Sequence, residues 1–441
     1  MSSGGFLASL QNLRLGQLTS MHGLSLASRL ISARYTLAVG AQALVSGFHF
    51  ALNLVLVRQI SQYDYGIFAF AFVLAMFAQA INNALISTPL TVYTPVIKDT
   101  EERSQQEKML SVVNLIFCLA LLMLGMMYIP LSELDASTVA CIAIFVAVYA
   151  ARQHSRSFGY ARLRPLVTAA GDTTYMVTGI LIMAVMLTVN PEPRVGSILL
   201  SLAGANLIAI IVENLLLHGK QALDQLRGSW QGYSLIWEQS RWALAGAVTT
   251  LLMGQAHSLI IVQSHGPQAF APIAAGAVLF GPVRVALMTW QNMVKPEMAV
   301  SLSEHRYTEV RGQMIRTTRL MAVAMFCVVV GLAIMWPWID GFLYEKRYAD
   351  EPMAWIVALW ALITLCSASY TPISAALQAL KNFKALAMGS IYASVLAAIA
   401  VTSLLYFRSP EDTLIGIFLA ELFMAVFLLR VITRTLREAT A

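Results

Sequence analysis

The chain has 441 residues, of which 58% are hydrophobic and only 12% are charged, and its mean hydropathy is +0.69. Because soluble globular chains carry roughly 25% charged residues, this composition excludes a soluble protein and indicates a polytopic membrane protein. The net charge of +6 is explained by basic loops that set membrane topology, so it gives no support to nucleic-acid binding.

Long apolar runs separated by short polar links recur along the whole chain. A bilayer core about 30 Å thick needs about 20 apolar residues per helix, and continuous runs favour helices over the alternating strands of a membrane barrel. Twelve helical spans are predicted, at 35–57, 67–92, 110–130, 137–151, 166–189, 196–217, 242–264, 270–292, 320–341, 353–377, 385–406 and 414–432. The leader before them has no signal-peptide pattern, and its leucines suit either a surface-lying helix or a disordered tail.

Basic residues are unevenly distributed over the loops that these spans define. Most of the 29 lysines and arginines lie in the termini and in the loops that follow even-numbered spans. Since positive loops are retained in the cytoplasm, both termini are predicted to be cytoplasmic.

The two halves of the chain repeat the same landmarks in the same order. The stretch 54–71 aligns with 259–276, the stretch 86–99 with 289–302, and FGYARLRPLVTAAGD (158–172) with ALQALKNFKALAMGS (376–390). Parallel six-helix repeats form two lobes around a cavity that opens to either side. The predicted units are a cytoplasmic N-terminal segment (1–34), an N-lobe (35–218), a cytoplasmic linker (219–241) and a C-lobe with a short tail (242–441).

Two of these landmarks carry a family resemblance. LVRQISQYDYGIFAFAF (56–72) resembles the signature after the first span of the polysaccharide transporter branch of the multidrug/oligosaccharidyl-lipid/polysaccharide (MOP) superfamily. RSFGYARLRP (156–165) and LQALKNFKA (377–385) resemble the paired loops after spans 4 and 10 of that branch.

The resemblance implies an all-α flippase of the Wzx type that needs no cofactor. Such a protein moves an undecaprenyl-pyrophosphate-linked oligosaccharide across the bacterial inner membrane by alternating access. Its implied partners are that lipid-linked sugar, membrane lipids, and the polymerase and glycosyltransferases of the same pathway, and no nucleic acid. A multidrug extrusion antiporter and a lipid II-type flippase of the same superfamily stay open as alternatives, whereas outer loops of only about six to ten residues argue against a membrane enzyme.

Cationic residues within or beside the spans are the first candidates for substrate contact. An arginine at the centre of a span costs at least about 2.5–3.5 kcal/mol and therefore faces a cavity or the bundle interior. Arg284 in span 8 is predicted to bind pyrophosphate, with snorkelling as the alternative, and the repeat alignment sets Asn83 opposite it. Lys295 either binds phosphate at the cytoplasmic mouth or anchors topology, and Arg58 either pairs with Asp64 or meets the pyrophosphate on exit.

Two histidines occupy near-equivalent places in spans 1 and 7. His49 and His257 could contact phosphate when protonated, relay protons, or serve as hydrogen-bonded structural residues. With Asn53 and Gln255 nearby, they predict the polar walls of one cavity.

Carboxylates within the spans are candidates for ion coupling, because a buried carboxyl can bind and release a proton. Glu421 in span 12 is predicted to couple transport to protons. Asp172 is a second candidate, although Asp172 and Glu213 could instead pair with the basic loops. Spans 1 and 2 hold none of the acidic residues that a drug extruder would place in the N-lobe cavity.

The remaining distinctive residues have no predicted chemical role. The four cysteines lack metal-site or redox spacing and are interpreted as small core residues. Four tryptophans are predicted to anchor the outer ends of spans 9 and 10 at the headgroup level: Trp336, Trp338, Trp355 and Trp360.

Overall fold

The computed structural model describes residues 21–92, 94–219, 226, 228–304, 306–380 and 382–440. These residues form thirteen α-helices with short links, and no strand occurs among them. The helices are α1 (Met21–Gln59), α2 (Gln62–Asn82), α3 (Thr88–Val92), α4 (Thr100–Tyr128), α5 (Ala136–Ala161), α6 (Pro165–Val189), α7 (Val195–His218), α8 (Tyr233–Val278), α9 (Gly281–Ser303), α10 (Tyr307–Ile339), α11 (Met353–Ala379), α12 (Phe383–Phe407) and α13 (Thr413–Thr440).

Within the described residues, eleven helices are long and apolar enough to cross a membrane. This confirms the prediction of an all-α, multi-pass membrane protein. The predicted eighth span, 270–292, is not one continuous helix, because α8 ends at Val278 and α9 begins at Gly281. Pro282 has no backbone N–H to bond the carbonyl of Val278, which interrupts the helical ladder there.

A second interruption lies inside α8, where spans 7 and 8 are joined. Gly266 has φ 80° and ψ 172°, a conformation that glycine alone adopts without strain. Pro267 follows it and lacks the N–H that would continue the helix. The chain therefore turns at Gly266, as the aligned first turn at residues 60–61 does between α1 and α2.

The helices pack as two bundles with the same internal arrangement. Helices α1–α7 make up the N-lobe and α8–α13 the C-lobe. Each principal packing pair of the N-lobe has its counterpart in the C-lobe. The matched pairs are α1 with α6 and α8 with α12, α2 with α5 and α9 with α11, α4 with α5 and α10 with α11, α5 with α7 and α11 with α13, and α6 with α7 and α12 with α13.

The links after α5 and α11 are also built alike. Each link contains two backbone hydrogen bonds to the helix before it. The first N–H bonds the carbonyl four residues earlier, and the second N–H bonds the carbonyl five residues earlier. The next helix begins at the residue after the second N–H. In the N-lobe these are Arg162 N to Phe158 O (3.0 Å) and Arg164 N to Gly159 O (2.8 Å), and in the C-lobe Leu380 N to Ala376 O and Asn382 N to Leu377 O (both 2.9 Å). The shift that pairs 158 with 376 therefore holds in three dimensions, so α5 and α11 can be compared residue by residue.

The two lobes meet most closely where α2 crosses the second part of α8, at the face opposite the termini. A β-carbon on Gly66 would lie 1.9 Å from the carbonyl oxygen of Pro267. Only glycine leaves room for this backbone approach. The contact closes that end of the space between the lobes.

Replacing Gly66 with alanine is expected to lower the melting temperature of the detergent-solubilised protein, because the added methyl group forces the two lobes apart. The expected cost is about 1–3 kcal/mol, as for other overpacked sites. The matched control is Gly204→Ala, since a β-carbon at Gly204 meets no atom within 4 Å. Equal melting temperatures for the two variants would contradict this account of Gly66.

Candidate functional site

Two adjoining cavities lie between the helices. The large cavity, about 900 Å³, is lined mainly by C-lobe helices, and the small cavity, about 550 Å³, is lined by both lobes. Met76, Gln255, Arg284 and Trp360 belong to the walls of both. The large cavity also reaches Gln291, midway along α9, and Gln378, near the end of α11 on the termini-bearing face. A ligand could therefore enter from that face.

Arg284 stands at the junction of the two cavities. Its guanidinium carbon lies 4.8 Å from the centre of the Trp360 ring. Within the described part of the chain, this guanidinium makes no hydrogen bond and no ion pair within 4.0 Å. Such a cation stabilises an anion that enters the cavity.

Glu421 contributes a carboxylate to the wall of the large cavity. Glu421 is only 6% exposed, and its Oε2 accepts a hydrogen bond of 2.8 Å from the Tyr370 hydroxyl. Its charge and that of Arg284 attract each other across the cavity, although they form no direct ion pair among the described residues. The large cavity thus holds one positive and one negative group at separate positions.

The two histidines and their polar neighbours lie where the sequence analysis predicted, in the wall of the small cavity with Asn53 and Gln255. The Nε2 atom of His49 is 2.7 Å from the hydroxyl of Tyr175. His257 is 1% exposed, and its Nδ1 has no hydrogen-bond partner. His49 is thus held by the N-lobe, whereas one ring nitrogen of His257 is buried without a partner among the described residues.

Asn83 lies outside the walls of both cavities. Its Oδ1 accepts a hydrogen bond of 3.0 Å from Gln153. Counting from the first residues of the two aligned helices, Gln62 and Pro267, places Gln79 rather than Asn83 opposite Arg284. Gln79 also donates to Gln153, at 3.2 Å, so this position of the N-lobe is tied to α5.

Arg58 lies at the face opposite the termini, with its guanidinium 4.3 Å from the centre of the Phe342 ring. It forms no ion pair with Asp64 among the described residues. Asp64 instead accepts a hydrogen bond of 2.7 Å from the Ser61 hydroxyl, and Ser61 in turn caps the start of α2. The side chain of Lys295 lies outside the described part of the structure.

Asp172 belongs to a buried ionic cluster inside the N-lobe. Its carboxylate, 1% exposed, lies 2.6 Å from Arg152 and 3.0 Å from Arg156. These partners are on α5 rather than in a loop, because α5 stays helical to Ala161. Glu213 is fully buried beside Gly171, and neither of its carboxylate oxygens has a hydrogen-bond partner among the described residues.

This cluster connects to the small cavity through Tyr175. The guanidinium of Arg152 lies 4.3 Å from the centre of the Tyr175 ring, whose hydroxyl contacts His49. Tyr175 therefore links His49 to the charged groups of the N-lobe core.

Polar contacts between the lobes hold the opposite face closed. Arg347 forms an ion pair with Glu192 and donates to the carbonyl of Gln59 at 3.0 Å. Gln62 donates to the carbonyl of Arg347 at 2.6 Å. We name Arg347, Glu192, Gln59 and Gln62 the Arg347 latch, which joins the C-lobe loop before α11 to two turns of the N-lobe.

The interpretation of Trp360 as an interfacial anchor is wrong. Its side chain is buried, 3% exposed, and its Nε1 donates to the carbonyl of Ile273 at 2.9 Å. The ring forms part of both cavity walls. The sequence does contain a signal for this location. Thr364 and Thr371 follow Trp360 by four and eleven residues, so all three positions share one face of the helix.

No protein-family model matches the chain, and no curated protein matches it by sequence. Solved structures do match. The lipid II flippase MurJ in an inward closed conformation has a TM-score of 0.66 and 13% identity, over 90% of this chain and 87% of that one. An inward-facing multidrug resistance MATE family transporter of the MOP superfamily has a TM-score of 0.65 and 13% identity, over 92% and 96%.

The chain has the fold of MOP-superfamily transporters. A third member, a MOP superfamily transporter from Pyrococcus furiosus described by the reverse polarity of its binding pocket, matches with a TM-score of 0.57 and 9% identity, over 94% of each chain.

Replacing Arg347 with alanine is expected to open the small cavity to reagents applied at the face opposite the termini. Hydrogen bonds to charged groups contribute about 1.5–3 kcal/mol, so the labelling rate should rise about tenfold or more. The measurement is the reaction of an impermeant maleimide with a cysteine at Ala274, a wall position of the small cavity, after replacement of the four native cysteines. The control is Lys346→Ala, because the neighbouring Lys346 is exposed and outside the latch.

Proposed function

We propose that this protein moves a polyprenyl-pyrophosphate-linked oligosaccharide across a bacterial inner membrane by alternating access. The observation that carries the proposal is the guanidinium of Arg284, which forms no hydrogen bond or ion pair with the described residues and stands where the two cavities meet. In this proposal the termini-bearing face is cytoplasmic, and the substrate head enters the large cavity from there.

The charge of Arg284 favours an anionic substrate. Holding an unpaired cation within a membrane protein is costly, and a pyrophosphate group offsets that cost through charge-assisted, bidentate hydrogen bonds. The N-lobe walls of the small cavity contain no acidic residue among the described lining residues.

The sizes of the cavities suit a head group of several sugars. Ligand pockets typically measure about 300–1,000 Å³, and each of the two cavities falls within that range. In the proposed mechanism the polyprenyl chain stays in the bilayer while the head group passes between the lobes. The large cavity closes toward the cytoplasm as the Arg347 latch releases, so that access changes sides.

One observation favours a second candidate, a multidrug extrusion antiporter. Glu421 lines the large cavity and could bind a cationic compound or a proton. A cationic drug would, however, also meet the positive charge of Arg284 in the same cavity. The two functions are separated by comparing how fast the same proteoliposomes carry lipid-linked sugar and cationic dyes.

Arg284→Ala is expected to abolish export of the lipid-linked sugar while membrane insertion stays normal, because the pyrophosphate loses its counter-charge. Arg284→Lys should keep part of the activity, since it retains the charge without the planar fork. Export is measured by the appearance of the glycan outside the cell, and insertion by the amount of protein in the membrane fraction. Normal export by the alanine variant would remove Arg284 from the mechanism.

Glu421→Gln is expected to make transport insensitive to a proton gradient, because the amide keeps the acceptor for Tyr370 but cannot exchange a proton. Initial rates in proteoliposomes should respond to collapse of the gradient in the wild-type protein and not in the variant. A wild-type rate that ignores the gradient would dispose of coupling through Glu421.

A further inference from the structure

One face of α11 lines the large cavity from end to end. Its residues recur at spacings of four and three, which places them on one side of a helix. They are Trp360, Thr364, Ser367, Thr371, Ser374 and Gln378, all of them in the cavity wall. At 1.5 Å per residue this stripe is about 27 Å long, close to the thickness of a bilayer core. We call it the α11 stripe.

The duplicated helix shows that the fold does not need these residue types. Under the shift that pairs 158 with 376, the α5 positions that correspond to the stripe contain no serine or threonine. They are Ile142, Val146, Tyr149, Gln153, Arg156 and Tyr160. The two helices have the same packing partners in their lobes, so the hydroxyl groups of α11 are not required by packing.

The hydroxyl groups are arranged to accept hydrogen bonds from a ligand. Thr364 donates its proton to the carbonyl of Trp360 and Thr371 to that of Ser367, each at 2.8 Å. A hydroxyl has one donor and two acceptor lone pairs, so each oxygen keeps acceptor capacity toward the cavity. Ser374 accepts from the Gln378 amide at 3.2 Å, which leaves its own proton available.

Two further polar groups, on Glu421 and His257, lie beside the stripe. Glu421 uses Oε2 for Tyr370, and its other carboxylate oxygen has no partner in the described chain, although the residue is only 6% exposed. The Nδ1 atom of His257 is buried and unpartnered in the adjoining wall, with its ring 5.8 Å from that of Trp360. The second carboxylate oxygen of Glu421, in the cavity wall, can accept a hydrogen bond from a hydroxyl group of a ligand.

At one end of the stripe lies Trp360, whose ring is buried, 3% exposed. Arg284 stands over the same ring, so a pyrophosphate bound there places the sugar attached to it at the start of the stripe.

We propose that the α11 stripe is the sugar-binding surface of the carrier, with oligosaccharide hydroxyls bound along Thr364, Thr371 and Ser374 while Arg284 holds the pyrophosphate. This inference rests on the proposed function. It adds that the protein selects lipid-linked sugars over the bare lipid pyrophosphate, through α11 and not through α5.

The test compares Thr364→Val/Thr371→Val with the wild-type protein in proteoliposomes. Valine keeps the shape of threonine, and each lost hydroxyl bonds only within its own helix, so folding should be preserved. The matched control is Thr173→Val/Thr178→Val on α6, whose hydroxyls also bond back to helix carbonyls, at 2.9 and 2.6 Å, outside both cavity walls. The probes are the lipid-linked oligosaccharide extracted from cells that lack the protein and the same polyprenyl pyrophosphate without sugar.

The wild-type protein and the control should carry the sugar-bearing lipid faster than the bare lipid. The α11 variant should lose about tenfold of that preference, the effect of two neutral hydrogen bonds, with its rate for the bare lipid unchanged. Equal wild-type rates for the two lipids, or an undiminished preference in the α11 variant, would overturn the assignment.

A separate readout distinguishes failure of the stripe from failure of the proposed function. The oligosaccharide released from the lipid is titrated against purified protein, and binding is followed by tryptophan fluorescence. If neither lipid is carried, the proposed function falls. In that case the assignment of the α11 stripe as a sugar-binding surface is retained only on two conditions. The free oligosaccharide must bind to the wild-type protein and to the control, and it must bind about tenfold more weakly to the α11 variant.

Discussion

The arrangement of the two lobes depends on a backbone contact at Gly66. There α2 touches the carbonyl of Pro267 with no room for a side chain, so the two equivalent helices cross at their N-terminal ends. With the lobes fixed at that point, the space between them widens toward the other face. The Arg347 latch joins the lobes at the same face, and the two cavities lie between the helices away from it.

The internal duplication makes the differences between the lobes informative. Equivalent helix pairs pack in both halves. The equivalent helices α5 and α11 nevertheless carry different polar groups. In the N-lobe, α5 contributes Arg152 and Arg156 to a buried ionic cluster around Asp172. In the C-lobe, α11 presents hydroxyl groups to an open cavity. The polar groups of α5 thus belong to a buried ionic core, and those of α11 to a polar cavity surface.

Sequence periodicity and charge predicted the all-α class, the two lobes and the polar wall formed by His49 and His257, because these follow from hydropathy and internal alignment. They did not predict the break at Leu279 and Phe280, since the apolar pattern runs through it and only Pro282 marks it. Trp360 was misplaced for a similar reason: its type suggests an interface, whereas its position on the α11 face decides its location. The Arg347 latch joins loops far apart in the sequence, and no local pattern encodes such a pairing.

The back-bonded hydroxyls of the α11 stripe bear on the return half of a transport cycle. A carrier that has released its cargo must close around an empty site, which is unfavourable if the wall holds orphaned donors. With no cargo bound, the protons of Thr364 and Thr371 are engaged with carbonyl oxygens of their own helix. The empty protein can therefore reset without first recruiting water to those two groups, and cargo needs only to offer donors to be recognised.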